Sequence, residues 1–379
     1  MKLDPSLLSK ARVNVISLPM YDAGISVDTF SVKNSTLIHN LSVNENPSGM
    51  SPHAMDALQA AIKSGATYPD SDCVNLREKL AEKLNVTKER IIVGNGSEDI
   101  LSLICKVFIN AGDNVLIPKP TFSLHHIYAA MMGAEIIEVP IDSSLGFNAS
   151  GWLERIALIK QLKILMLSNP SNPVGCILTH AELSAIVNAC PLDTLVVIDE
   201  AYIEYAAHET DFPRVFDILE NQQRPWIVLR TFSKAYGLAG MRVGYGICSN
   251  HTFVNLLSRV KTPYNVNRLA QVAAIHALDD QQHLDQTIQF TLSAREHMRN
   301  EILSWGIQVA PSSSNFLFID TKRQSIEAMQ FLMQKNVLIK AWREKNYSSF
   351  IRVSIGQESQ NDIFVRQLKS FLFGSGMRV

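Results

Sequence analysis

The amino-acid sequence predicts an α/β fold: a large domain with a mostly parallel, seven-stranded sheet between helices, plus a smaller α+β domain from both chain ends. Three observations carry this. Seven short apolar runs show no in-and-out alternation, as expected of strands buried on both faces. Stretches with helical period lie between most of them, and strand–helix alternation packs as a parallel sheet covered by helices. Beyond about residue 269 the rhythm changes to long helical stretches and a few short strands.

Taken in order, residues 1–50 form an N-terminal segment with little helical pattern, expected to pack with the smaller domain. The large domain, 51–270, holds the seven runs at 91–93, 114–117, 135–139, 164–167, 195–198, 226–229 and 243–248. Helical period is clear at 99–108, 123–132 and 180–189. In the first of these, Leu101, Ile104, Cys105 and Phe108 form one apolar face suited to the core. The small domain, 271–379, opens with helices at 270–278 and 285–304. Strands at 315–320, 337–340 and 350–355 follow, then a closing helix at 361–371.

A chain of 379 residues, 46% hydrophobic and 19% charged, has room for one large and one smaller core and is not apolar enough for a membrane protein. Lys and Arg number 35 against 36 Asp and Glu, so there is no cationic excess for a sequence-blind nucleic-acid binder. The most apolar stretch, 156–167, is interrupted by Lys160 and Lys163 and falls short of the roughly 18 residues a membrane span needs. Five scattered cysteines form no C-x-x-C pair, which suits a reducing compartment. The opening residues hold no long apolar run of a secretory signal, so the expected location is cytoplasmic. Neither His125-His126 nor His208-Glu209 has H-E-x-x-H spacing, so no metal is expected, and no G-x-S-x-G elbow marks a hydrolase.

Four segments at the ends of predicted strands carry the chemistry. In the first, a strand runs through Arg230 and Thr231 into Phe232, Ser233 and a lone Lys234, with Arg242 eight positions on. A lysine at the carboxyl edge of a sheet sits where α/β proteins place ligands. Held there, partly desolvated and near other cations, its amine loses basicity and can form a Schiff base with a carbonyl. Thr231, Ser233 and Arg242 are donors that suit a phosphate. Taken alone, Ser-Lys on a loop also describes an ordinary surface lysine.

In the second, the apolar strand at 195–198 ends in Asp199, and Tyr202 follows three residues later. A buried aspartate is costly unless it meets a cation, and a protonated pyridine nitrogen would be one. The alternative, a metal-binding carboxylate pair of a nucleotide hydrolase, wants G-x-x-x-x-G-K-[ST], which the chain lacks. The third, Gly94-Asn95-Gly96-Ser97-Glu98-Asp99, is a glycine turn opening a helix, where bare N–H groups make an anion site. It also fits an ordinary helix cap by Ser97 or Asn95. The fourth, Ser168-Asn169-Pro170-Ser171-Asn172-Pro173, holds two asparagines at the sheet edge, or is simply a rigid turn.

A molecule with an aldehyde, a ring nitrogen, a ring hydroxyl and a phosphate would use all four segments, and pyridoxal 5′-phosphate (PLP) has those groups. With these residues the chain resembles the fold-type-I PLP enzymes of the class I and II aminotransferases, and among them the histidinol-phosphate aminotransferase group. Asn44-Glu45-Asn46-Pro47, Tyr68-Pro69-Asp70, Pro120-Thr121-Phe122, 263–268 and 352–356 add to the resemblance.

The resemblance implies an aspartate-aminotransferase-like fold and a role for each matching residue. Lys234 would carry the aldehyde, Asp199 would pair with the pyridinium nitrogen, and Tyr202 and Asn172 would bond the ring oxygen. Phe122 would stack on the ring. Gly96, Ser97 and Glu98 would hold the phosphate through backbone N–H groups, with Thr231, Ser233 and Arg242. Tyr68 would reach that phosphate from the other subunit of a homodimer with shared active sites. Arg352 would bind the substrate carboxylate or the group replacing it, with Tyr21, Asn44 and Lys340 also on the substrate side.

Two positions depart from the pattern: Lys340 stands where the group usually has Arg, and Val174 replaces a common Thr. The implied reaction moves an amino group between a small-molecule donor, histidinol phosphate by resemblance, and 2-oxoglutarate, with no nucleic acid or membrane partner. An aromatic amino-acid aminotransferase, or a PLP decarboxylase or lyase on the same scaffold, stays open. A cofactor-sensing regulator would need a DNA-binding module ahead of a pattern that begins by about residue 12.

Overall fold

The computed structural model describes residues 5–24 and 38–374; the remainder of the expected N-terminal segment and of the C-terminal tail lies outside the described residues. The first strand, β1 (His39–Asn40), pairs in parallel with β11 (Val337–Leu338), so the N-terminal segment is stitched to the C-terminal part of the chain.

Seven strands then form one sheet: β2 (Ile91–Gly94), β3 (Asn114–Lys119), β4 (Glu135–Pro140), β5 (Leu162–Ser168), β6 (Leu195–Asp199), β7 (Trp226–Thr231) and β8 (Gly244–Cys248). Their order is β2-β8-β7-β6-β5-β3-β4. All run in parallel except β8, which is antiparallel to both of its neighbours. The connection from β7 to β8, residues 232–243, contains no crossover helix to carry the chain back for a parallel return. It folds instead as a compact turn with a 3₁₀ piece at Ala239–Met241, and β8 comes back alongside β7.

The expected helices at 123–132 and 180–189 form over those residues, and the first runs Ser97–Phe108. In it Leu101, Ile104 and Cys105 are buried, while Phe108 packs at the edge of that core against Phe253. The central strands β5 and β6 are buried almost end to end, as their unbroken apolar runs require.

A second, antiparallel sheet has the order β12-β13-β10-β9, built from β9 (Gln308–Val309), β10 (Phe316–Asp320), β12 (Lys340–Ala341) and β13 (Phe350–Ser354). The single strand expected at 337–340 is thus split at Ile339: one half pairs with β1 and the other with β13. The long helix starts earlier than its periodicity suggests, at Gln281, because Asp280 accepts from the His283 N–H and caps it. The last helix spans Glu358–Phe373, opened by a Gln357–Gln360 capping box. Short helices at Pro5–Leu8 and Val13–Ile16 occur where little helical pattern was expected. They are too short to stand alone, and Arg12 ties the second to the Met131 carbonyl at 3.0 Å. Among the described residues no helix is long and apolar enough to cross a membrane.

Gly237 fixes how the loop after β7 meets the residues before the helix Pro52–Ala61. Its φ is +68°, and a Cβ there would lie 2.0 Å from the Gly49 carbonyl oxygen. Both backbone conformation and space therefore exclude a side chain. Gly237→Ala is expected to cost about 2–4 kcal/mol of stability, read from chemical denaturation; an unchanged midpoint would show that the two segments are not in contact.

Candidate active site

Parallel strands deliver their ends to one edge of a sheet, and the carboxyl ends of β5, β6 and β7 open into a cavity of about 640 Å³. The turn after β2 and the strands β12 and β13 close its sides. Every residue to which the resemblance gives a role lines this cavity except Tyr68.

Asp199 is the last residue of β6, in register with Ser168 and Leu229 of the neighbouring strands. Its Oδ1 accepts from the Ala201 N–H at 3.1 Å, and its Oδ2 lies 3.3 Å from His125 Nε2. The other ring nitrogen of His125 is 3.1 Å from Thr121 Oγ1. With a proton on Nε2 the ring donates to the carboxylate, and Thr121 holds its other nitrogen. Neighbouring Glu200 is fully engaged elsewhere: Arg230 donates to its Oε2 at 2.8 Å, deep in the protein. Burial still holds the Glu200 carboxyl above its ordinary range, with Arg230 opposing the shift. Adjacent residues of a strand face opposite ways, so one carboxylate serves the cavity and the next the core.

Lys234 follows β7, and its Nζ donates to the Val43 carbonyl at 3.2 Å. Burial, reinforced by the nearby Arg352 guanidinium, brings its amine down to about 7. The Tyr202 hydroxyl accepts from Asn44 Nδ2 at 2.9 Å and Asn172 Nδ2 at 3.3 Å. Asn44 also accepts from Ser354 Oγ, so in this structure it braces the phenol. Burial pushes the Tyr202 hydroxyl up to about 12, keeping it protonated. Arg352 rises from β13 and donates to Asn172 Oδ1 at 2.7 Å and to the Ser42 carbonyl at 2.8 Å. Its Nε has no partner, and among the described residues it pairs with no carboxylate. Of the two Asn-Pro asparagines only Asn172 serves the cavity, because Asn169 turns back to accept from the Leu178 N–H.

A second corner gathers the anion donors. Gly96 has φ +84°, and a Cβ on it would sit 2.9 Å from Arg242 Nη2; one on Gly244 would sit 2.4 Å from the Ser97 nitrogen. Bare glycines thus let the helix N-terminus, β8 and Arg242 come together. Gly96 is the N-cap, without a side-chain capping bond, which corrects the alternative of a cap by Ser97 or Asn95. Glu98 meets Arg242 at 3.4 Å, and Thr231 Oγ1 donates to Ser233 Oγ at 3.0 Å.

On the outer side, Tyr21 packs edge-on to Phe122, and Lys340 is held by Asp22 through both its carboxylate (3.0 Å) and its carbonyl (2.5 Å). Tyr68 stands 77% exposed, stacked on Tyr264 at 4.6 Å. Sequence reasoning missed the Thr121–His125 support of Asp199. The signal available was spacing: four residues apart at a helix start, the two side chains share one face.

A family model described as "Aminotransferase class I and II" matches residues 37–368. Histidinol-phosphate aminotransferase 3 of Rhizobium meliloti is 38% identical over 359 residues, covering 94% of this chain and 96% of that protein. The histidinol-phosphate aminotransferase of Moorella thermoacetica is 36% identical over 367 residues, covering 96% and 93%. Among solved structures, a histidinol-phosphate aminotransferase from Sinorhizobium meliloti in complex with pyridoxal-5′-phosphate superposes with a TM-score of 0.86 at 25% identity, over 96% of this chain and 98% of that one. Likeness of this extent, running through both sheets and the cavity between them, makes the chain a member of the class I and II aminotransferases, and the enzyme a transaminase.

Proposed function

We propose that the protein is a PLP-dependent aminotransferase that takes its amino group from histidinol phosphate and passes it to 2-oxoglutarate. The observation that carries the reading is Lys234, a buried amine near neutrality beside a buried guanidinium, with Asp199 in the same cavity. The relatives support the donor; the usual family acceptor supplies the oxo acid.

The cavity fits the cofactor. Asp199 would hold the proton on the ring nitrogen, with His125 and the Ala201 N–H fixing its carboxylate. Tyr202, with Asn172, would reach the ring oxygen, and Phe122 would cover the ring face. The corner that a Cβ on Gly96 would fill suits a phosphate, held by the N–H groups of Gly96, Ser97 and Glu98 with Thr231, Ser233 and Arg242. When bound, the cofactor supplies an aldehyde to join the amine and a cationic ring to accept electrons.

The protein's own residues do the rest. Arg352 binds the donor's anionic end and is forked for it. Lys234, neutral near pH 7, takes the proton from the donor carbon and returns it one position away. Tyr202 stays protonated through this pH range and so remains a hydrogen-bond donor. A homodimer belongs to the same reading: Tyr68 stands outside its own cavity and would serve a second copy's phosphate corner.

Lys234→Ala should lower turnover by at least about a thousand-fold and abolish the absorbance of the lysine-bound cofactor; full activity would end the proposal, and CO2 release without oxo-acid demand would mark a decarboxylase instead. Asp199→Ala should bind some cofactor yet lose about a hundred-fold or more in kcat, measured in steady state with PLP saturating. The pH dependence has a definite sign. The neutral amine is the nucleophile, so its share grows as pH rises through about 7. Uptake of PLP by the apoprotein, followed by stopped-flow absorbance, should therefore rise through a midpoint near 7 and then level off. An ordinary lysine would keep gaining to about 10, and such a profile would show that the amine is not desolvated.

A further inference from the structure

The outer half of the cavity, where the donor's side chain must lie if the proposed function holds, carries charge that the reaction itself does not use. Lys119 at the end of β3 pairs with Glu138 of β4 at 2.5 Å, and Lys340 pairs with Asp22 at 3.0 Å. Both of these wall cations are thus matched by carboxylates. Glu344, in the loop after β12, is not matched. One of its oxygens accepts from the Trp342 indole N–H at 3.1 Å, and among the described residues it forms no ion pair and no other side-chain hydrogen bond. Glu344, Glu138, Trp342 and His126 all line the same cavity that holds Lys234 and Arg352.

We propose that Glu344 is a specificity-determining residue, accepting a hydrogen bond from a nitrogenous donor side chain, an imidazole or another N–H-bearing cationic group. Three features of the wall support it. The charges acting on Glu344 are Lys119 and Glu138, so two carboxylates share one ammonium there, while Arg343, which also lines the cavity, lies toward Asp22 and Lys340; the balance at Glu344 favours an incoming cation. Trp342 offers an apolar ring at the same place, suited to the face of a flat or cationic group. Burial holds the Glu344 carboxyl above its ordinary range, against the pull of the Trp342 hydrogen bond and Lys119. A positively polarised partner would restore some of what its ionised form loses on leaving water.

A site built to accept a hydrogen bond discriminates strongly against an isostere that lacks the donor. Imidazolepropionate and phenylpropionate make that comparison. Both carry a carboxylate for Arg352, neither has an amine to react, and only one has a ring N–H. Their binding to PLP-loaded enzyme is measured by calorimetry, after absorbance has established that the cofactor is joined to Lys234. Wild-type enzyme should prefer the imidazole compound by about ten-fold or more. Glu344→Leu, which removes the acceptor, should reduce that preference by about ten-fold while leaving phenylpropionate binding and the cofactor absorbance little changed. No imidazole preference in the wild type, or the same preference in Glu344→Leu, would overturn the role of Glu344. Protein that forms no lysine-bound cofactor would overturn the proposed function itself, so the two failures are told apart.

Discussion

The site is organised around two cations that the fold removes from water without giving either a carboxylate partner. Lys234 and Arg352 both look into the cavity, and each donates only to neutral oxygens: Val43, Ser42 and Asn172. Burying an uncompensated charge is costly, and the two residues meet that cost differently. A lysine can give up its proton, and Lys234 does so near neutral pH. A guanidinium cannot, so Arg352 remains a standing demand for an anion. Its unpartnered Nε is the part of that demand which the protein itself leaves unmet.

Meeting those demands requires three stretches of chain that are distant in sequence. Residues 42–44 come from the N-terminal segment, Asn172 from the loop after β5, and Arg352 from the second sheet. Asn44, Asn172, Tyr202 and Arg352 form one connected hydrogen-bonded group across them. Removing any member would leave a buried donor or acceptor unsatisfied, so the group holds the two sheets in one relative position. Asp199 belongs to a different group, with Thr121 and His125, which lies wholly within the large sheet and its covering helix.

Legibility in the sequence follows the same division. Six of the seven strands were readable because a strand buried on both faces needs an unbroken apolar run; the edge strand β4 carries such a run although it is only partly buried. The lysine and aspartate were readable because parallel strands bring their ends to one edge. Residues 337–340 were not readable as two strands, since the break at Ile339 is set by partners in two separate places, β1 and β13. His125 was passed over because its sequence shows only a histidine pair. Its role depends on which face of the helix meets β6. The Asp22–Lys340 and Trp342–Glu344 contacts lie in irregular backbone, where no period announces them.

This arrangement separates what is common from what is particular. The groups that the proposed function brings to the reacting atoms sit on strand ends and a helix terminus, held by glycine contacts and buried hydrogen bonds that tolerate little change. The charges at 22, 340 and 344 sit on the N-terminal segment, an edge strand and a loop; Asp22 is exposed, and Lys340 and Glu344 are partly buried at the cavity wall, outside the packed apolar cores. Under the proposed function, a change of sign there would alter which donor is accepted while leaving Lys234 and Asp199 untouched. Lys340 shows the point: in this chain its charge is already matched by Asp22, so it presents less positive field to a phosphate than an unpaired cation would. Under the proposed function Arg352, which has no such counter-charge, would carry the larger share of binding any anionic end of the donor.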